Sequence, residues 1–364
     1  MGKKRLALIG SNGIPANYGG TETFYENLTR ELSDKYDITV YCSKKQPRDK
    51  VGDSYLGAKL VYLPLSANGW QSIPYDAWSI IHAARKSDIL YIFGSSGVFM
   101  VKILRTFGFK KPVFLNHGGL DEWKREKYSR LGRFWAWWSR KIVRNCVDHV
   151  VDNELYVKSL KETFGIEKAY VIRYGGDQAV PVAPDNSLLE EYPFLTENYY
   201  VSVSRAQIDN NLHVVLEAFS KVPDQKLVLV SNFNVSPYGQ ELYEKYNGKY
   251  PNIILIPGIY DKRELNAVRS NAHAYIHSHS RCGTPPSLCE AMCLGLPIIS
   301  FNAEVNHEVT GDFAIFFDTA EDLIKVIKTV SKEELKDMAA KSTDLAKREL
   351  TWNHIALQYA EIFG

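Results

Sequence analysis

The sequence predicts two α/β domains, each built on a doubly wound parallel sheet, and three observations carry that expectation. Short apolar runs such as Leu6-Ala7-Leu8-Ile9 and Ile89-Leu90-Tyr91-Ile92-Phe93 read as strands buried on both faces. Amphipathic stretches of helical period separate them, which is the alternation of a parallel sheet with crossover helices. The pattern restarts near residue 199 after a segment with Pro181, Pro184 and Pro193, and 364 residues suffice for about two domains of roughly 150.

Taken in order, Arg5 to Gly10 is the first strand, and Gly13-Ile14-Pro15-Ala16-Asn17-Tyr18-Gly19-Gly20 the loop after it. The next helix puts Phe24, Leu28 and Leu32 on one face, with a capping box expected from Thr23 to Glu26. Strands follow at 37–42, 59–63, 89–93 and 112–115, with helices at about 75–85 and 98–107. A polar loop over 116–125 leads to a long helix over about 128–145, and strands at 147–151 and 169–173 end this half. Residues 178–198 read as a linker. The second half places strands at 199–204, 226–231 and 253–257 and helices at 212–220, 239–249 and 262–270. Ala274-Tyr275-Ile276 is then a strand, Gly283-Thr284-Pro285-Pro286 a turn, and Ser287 the start of a helix carrying Glu290. A strand begins at Pro297, helices cover 323–330 and 333–348, and Thr351-Trp352 opens a terminal helix.

Composition narrows the function classes. With 45% hydrophobic and 24% charged residues, the chain reads as an ordinary soluble globular protein. A net charge of +2 argues neither for nor against nucleic acid. No apolar run approaches the ~20 residues that span a bilayer, and the apolar stretch after Lys3-Lys4-Arg5 is too short for a signal peptide. The five cysteines form no CxxC pair, which fits a reducing compartment and gives no metal site.

Three stretches carry candidate chemistry. Between Ala274 and Ser300, a strand, a tight turn and a helix start suit a phosphate, because unpaired amides and the helix dipole point there. Glu290, one turn into that helix, suits a polyol instead, so the ligand expected has both phosphate and ribose or sugar parts. Arg205, at the end of a strand of the same half, suits a diphosphate through charge-assisted hydrogen bonds; the alternative is a surface ion pair with Asp209. In the first half, the glycine loop lacks GxGxxG, which argues against a usual dinucleotide site, and His117-Gly118-Gly119 ends a strand where a substrate can approach. The helix over 128–145 and the residues before it carry Lys124, Arg125, Lys127, Arg130, Arg133, Arg140, Lys141 and Arg144 against one acid, Glu126. Trp123, Trp135, Trp137 and Trp138 are interleaved. Such a segment reads as a membrane-surface element or a grip on a phosphorylated acceptor, or else as a packed helix with a solvated basic face.

The chain resembles glycosyltransferase family 4, with the GT-B fold of two Rossmann-like domains facing a central cleft, over essentially its whole length. Four motifs carry the resemblance: 13–24, Glu122-Trp123-Lys124-Arg125, 205–211 and 277–292, and they are most similar to a bacterial rhamnosyltransferase-like branch. The resemblance implies an acceptor domain over 1–178 with the last helix, 351–364, packed back on it, and a donor domain over 179–350. It implies a retaining transfer of sugar, L-rhamnose from dTDP-rhamnose leading, to a glycan or lipid-linked acceptor in surface polysaccharide synthesis. The enzyme would work at the cytoplasmic membrane face, without a metal or other cofactor and without nucleic acid. Arg205, Asn210, Gly283, Thr284, Pro285, Pro286 and Ser287 would hold the donor, with Gly19 and Gly20 near its phosphates, Glu290 on the ribose and His117 on the sugar. Trp123, Lys124, Arg125, Arg130, Arg133, Trp137, Arg140 and Lys141 would meet membrane or acceptor. Three features depart from the family pattern: Cys282 stands where a second glutamate is usual, Asn210 where many members have Lys, and His117-Gly118-Gly119-Leu120-Asp121 does not align cleanly with that branch before Glu122. A nucleotide-sugar epimerase of the same fold, or a non-catalytic subunit, is the alternative.

Overall fold

The computed structural model describes residues 2–16, 19–118, 129–281 and 283–364. Contacts divide the chain into two units, one ending at Arg173 and including Trp352–Gly364, the other Tyr174–Thr351.

The first unit is built on an eight-stranded sheet of β1 (Lys4–Ile9), β2 (Tyr36–Cys42), β3 (Ser54–Tyr55), β4 (Ala58–Tyr62), β5 (Ile89–Phe93), β6 (Val113–Asn116), β7 (Asp148–Val151) and β8 (Tyr170–Val171). Their order is β3-β4-β2-β1-β5-β6-β7-β8, parallel except for the β3–β4 hairpin. Its helices are α1 (Gly20–Leu32), the one-turn α2 (Arg48–Val51), α3 (Ser72–Lys86), α4 (Phe99–Thr106), α5 (Arg130–Val143) and α6 (Glu154–Phe164). The chain winds outward from β1 to β4, then returns to β5, so the order reverses between β1 and β5. Ligands of open α/β sheets bind outside the strand carboxyl ends at such a reversal.

The second unit repeats the plan with a six-stranded parallel sheet. Its strands are β9 (Tyr199–Val203), β10 (Lys226–Ser231), β11 (Ile253–Pro257), β12 (Ala274–His277), β13 (Ile298–Phe301) and β14 (Ile315–Phe317). The order β11-β10-β9-β12-β13-β14 puts the reversal between β9 and β12. Helices α7 (Asn186–Glu191), α8 (Leu212–Ser220), α9 (Pro237–Tyr246), α10 (Lys262–Ser270), α11 (Pro286–Cys293), α12 (Glu304–Thr310), α13 (Ala320–Thr329) and α14 (Lys332–Glu349) complete it. The apolar strand runs are buried on both faces, as parallel strands covered by helices require.

The terminal helix α15 (Trp352–Phe363) belongs to the first unit. It buries Trp352, Ile355, Tyr359 and Phe363, worth about 2 kcal/mol each as an upper estimate. Phe24 of α1 meets Trp352 and Tyr359 edge-on, and the Tyr359 ring packs against Tyr91 at 5.3 Å.

The short elements α2, β3, α12 and β14 lie where the sequence expectation assigned nothing, and three further elements differ from it. Helix α6 lies where no helix was assigned, capped by Asn153, whose side chain accepts from Leu155, and stopped by Gly165 in the left-handed region. Its apolar face, Tyr156, Leu160 and Phe164, is only three positions wide and packs in a small cluster of its own. The expected linker contains α7 and a 3-10 turn, Pro193–Thr196. Helix α1 has no capping box: Gly19 is its N-cap with φ 121°, and no side chain caps it. Thr23 donates instead to the Gly19 carbonyl, while Glu26 turns back to the loop and accepts from the Ala16 amide at 3.2 Å.

Candidate functional site

In the second unit, the structure gathers the loops after β9 and β12, the two strands flanking the sheet reversal. The Ser280 amide and hydroxyl donate to the Asp209 carbonyl at 2.9 and 3.0 Å, and Asn211 Nδ2 donates to the Ser278 carbonyl at 3.0 Å. Arg205 stands exposed beside this seam. Asn210 is buried, and its amide donates to the Arg205 carbonyl at 2.8 Å, so it braces the loop that presents the guanidinium.

Two histidines that sequence reasoning passed over lie here. His279 Nε2 meets the Ser204 hydroxyl at 2.8 Å, and the His277 and His279 rings are 4.3 Å apart. Burial first, then the positive Arg205, pushes the His279 imidazole down to about 4. Burial drives His277 well below its ordinary value as well, and neither of its ring nitrogens has a hydrogen-bond partner among the described residues. The HxH spacing at a strand end was their signal, since alternate residues of a strand share a face.

Past β12, Thr284 is buried, Gly283 and Ser287 are half-buried, and α11 starts at Pro286 with Pro285 as N-cap. No side chain caps α11 and its first turn carries no acid, which leaves its positive end suited to an anion. Glu290 is not an isolated carboxylate. Its Oε2 pairs with Arg269 of α10, and its Oε1 accepts from Gln178 at 2.6 Å. Arg269 is almost completely buried and also donates to Asn266 at 2.8 Å. Gln178 reaches this point because the chain passes tightly over α11 at Gly176, where a Cβ would lie 2.4 Å from the Cys289 carbonyl carbon and oxygen. Only glycine fits that approach. Neither Arg269 nor Gln178 was readable as part of the site, because only the fold brings them to Glu290. Cys282 lies outside the described residues.

In the first unit, the glycine loop is held by carboxylates of α1. Glu22 Oε1 accepts from the Asn12 amide at 2.8 Å and from its side chain at 2.9 Å. Gly19 lies against that same side chain: a Cβ there would sit 2.3 Å from Glu22 Oε2. The start of α1, with Gly19 and Gly20, therefore already has a negative group at hand.

His117 is buried one residue past β6, and its Nε2 lies 2.9 Å from Nδ1 of His149 on β7. Burial first, then His149 and Arg140, hold its imidazole well below the ordinary value. The loop is tied to the terminal helix through a polar chain. The Gly118 amide donates to Asn116 Oδ1, Asn116 Nδ2 donates to the Tyr91 hydroxyl, and that hydroxyl meets Tyr359 of α15 at 2.9 Å.

Helix α5 corrects one expected surface contact. Arg140 is completely buried rather than facing a membrane or acceptor: it donates to the Ala136 carbonyl at 2.9 Å and to the His117 carbonyl at 3.2 Å. One turn from Ala136 and next to buried Ser139, it falls on the inward face of the helix, a placement that charge counting does not see. Trp137 is half-buried against the Tyr156 and Leu160 cluster, and the apolar side chains that α5 exposes are Leu131 and Phe134. Trp135 and Trp138 pack on Phe99. Arg130 is exposed, Arg133 and Lys141 half-buried. Trp123, Lys124 and Arg125 lie outside the described residues, as do Asp121 and Glu122. Among the described residues no helix is long and apolar enough to cross a membrane, and no cluster of His, Cys, Asp or Glu has the grouping to hold a metal ion.

Two parallel-sheet domains, each with its reversal point, define the GT-B fold, as the structural relatives bear out. The chain aligns with sucrose-phosphate synthase from Thermosynechococcus elongatus at TM-score 0.82 and 16% identity, over 99% of this chain and 98% of that one. It aligns with Anabaena HepE, solved in complex with UDP and glucose, at TM-score 0.75 and 14% identity over 99% of both chains. A glycosyltransferase from Rickettsia africae ESF-5 gives TM-score 0.76 and 13% identity over 100% of this chain and 98% of that one. By sequence, residues 189–348 match the family of glycosyl transferases group 1, and residues 3–177 match a domain of unknown function, DUF1972. None of the curated proteins matches the sequence. The match to glycosyl transferases group 1 over residues 189–348 and the GT-B fold together support a glycosyltransferase.

Proposed function

We propose that the chain is a retaining glycosyltransferase that moves a sugar from a nucleoside-diphosphate donor to a glycan or lipid-linked acceptor. The observation that carries this reading is the seam of the second unit. The Arg205 loop and the His277–Ser280 segment are bonded together at the sheet reversal, within the domain that matches glycosyl transferases group 1. Arg205 and the amides at the start of α11 would take the diphosphate, and stabilising that leaving group would supply most of the rate acceleration. Glu290, held by Arg269 and Gln178, would take the ribose, with Gln178 giving way to a hydroxyl. Thr284 and Ser287 would complete the donor contacts, and His117 would meet the sugar. Two structures of similar fold carry UDP ligands, HepE with UDP and glucose and an Escherichia coli protein bound with UDP-2-fluoro glucose, which supports a nucleotide-sugar donor.

L-rhamnose from dTDP-rhamnose leads the donor candidates, by resemblance to the rhamnosyltransferase-like branch, and surface polysaccharide is the corresponding product. The exposed Leu131 and Phe134 of α5, among Arg130, Arg133 and Lys141, support work at an anionic membrane surface.

Incubation with a panel of dTDP-, UDP- and GDP-sugars tests the reading. Transfer or slow hydrolysis of one donor is expected, and Arg205→Ala should lower kcat/KM about a hundredfold without loss of fold. If no nucleotide sugar is hydrolysed, transferred or raises the melting temperature, the proposal fails.

A further inference from the structure

The first unit contains a polar arrangement that neither the family match nor the fold explains. His117 and His149 stand ring against ring, 5.1 Å apart and 27° from parallel, with His117 Nε2 2.9 Å from His149 Nδ1. A bond between two neutral imidazoles holds one proton, and the surroundings decide which ring supplies it. His149 Nε2 lies 2.9 Å from the carbonyl oxygen of Arg144, at the end of α5. A carbonyl only accepts, so Nε2 carries the proton of His149 and its Nδ1 carries a lone pair. His117 Nε2 must then be the donor. Its proton is on Nε2, and Nδ1 is left as an acceptor.

Both rings stay neutral in this setting. Burial opposes charge on each, and Arg140, bonded to the His117 carbonyl, opposes it further on His117. The Arg144 carbonyl and the negative Asp148 favour charge on His149 but do not overcome its burial. His117 Nδ1 is itself buried and has no partner among the described residues. A buried acceptor without a donor is costly.

We infer that His149 is a positioning residue: through Nδ1 it fixes His117 in the Nε2–H tautomer, so that His117 Nδ1 presents a lone pair to a hydroxyl of the sugar. This rests on the glycosyltransferase reading only for the identity of that hydroxyl. In this role His117 accepts a hydrogen bond and orients its ligand; it is not a proton donor. The Arg144 carbonyl, at the end of the basic helix, sets the direction of the whole chain.

Histidine-labelled protein tests the tautomer directly through long-range proton–nitrogen correlations, with no substrate present. The expected spectrum has His117 protonated at Nε2 alone and His149 likewise. His149→Leu should abolish that fixed state and lower kcat/KM for the nucleotide sugar about tenfold. His149→Asn keeps an acceptor oxygen where Nδ1 stood, and should restore both the tautomer and the rate to within about threefold of wild type. A proton on His117 Nδ1 in the wild type overturns the inference. So does a His149→Leu protein with unchanged tautomer and rate, or a His149→Asn protein as damaged as His149→Leu. A protein that transfers no sugar at all refutes the glycosyltransferase reading instead, and the spectrum still decides the tautomer.

Discussion

The carboxyl edges of the two sheets use the same parts in opposite ways. Each has a helix start at the sheet reversal and a histidine pair: His277 ends β12 and His279 follows it at the reversal, while His117 and His149 lie at the end of β6 and on β7, beyond it. At the edge of the first unit, α1 brings its own carboxylates: Glu22 holds Asn12, and Glu26 holds Ala16. At the edge of the second, α11 starts without an acid in its first turn, and the charge of Glu290 is taken up by buried Arg269. The histidines follow the same division. His117 and His149 bond to each other and to a carbonyl, while His279 bonds to Ser204 next to Arg205 and His277 has no partner among the described residues. The difference teaches that an identical strand–turn–helix can be electrostatically closed or open. The open one, in the second unit, is where the proposed function puts the diphosphate.

The comparison breaks most visibly at Glu290. Glu290→Ala leaves Arg269 buried without its counter-ion, and should lower unfolding stability by about 3 kcal/mol, read from urea titration. A loss below about 1 kcal/mol would mean that the pair holds Glu290 only weakly.

Acid tests the second edge next, through His279. His279 sits at about 4 in the fold against an ordinary value of 6.5. It therefore takes up a proton on unfolding, its contribution is fully present above pH 6.5, and it is lost as pH falls toward 4. The window is worth up to about 3 kcal/mol. His279→Asn should flatten the acid limb of the stability curve; an unchanged limb would assign it to other groups.

Tyr359→Phe probes the tie between the terminal helix and the His117 loop. Removing one buried hydroxyl from the Tyr359–Tyr91–Asn116 chain should cost about 1 kcal/mol, seen as a lower urea midpoint, with nucleotide-diphosphate binding unchanged. The smallest effect is expected at Glu22→Gln, about 0.5 kcal/mol. Isothermal titration with UDP and dTDP before and after this substitution sharpens the comparison. Equal affinity keeps the diphosphate in the second unit, and a tighter complex would bring it to Gly19 and Gly20.

Much of the architecture was legible because parallel strands buried on both faces must read as apolar runs, and the covering helices as period-3.6 stripes. That logic recovers β1, β5, β9 and β12, and hence both reversal points once the order of strands is known. It failed at α6, whose face is three residues wide, and at the short elements α2, β3, α12 and β14. The motif from Thr284 to Glu290 was legible for a related reason: a turn rich in proline and glycine before a helix is a local instruction.

What the sequence determined by itself was therefore local: which segments are strands and helices, and which turns present amides. Everything that depends on partners distant in the chain was decided by the tertiary structure. Arg140 counted as one more surface cation until the helix turned it inward to the His117 carbonyl. Glu290 counted as an open carboxylate until Arg269 and Gln178, 21 and 112 positions away, closed on it. His149 had no signal at all before β6 and β7 lay side by side. A charge is read from composition, but its availability depends on burial and on what stands within hydrogen-bond reach, and those are properties of the fold.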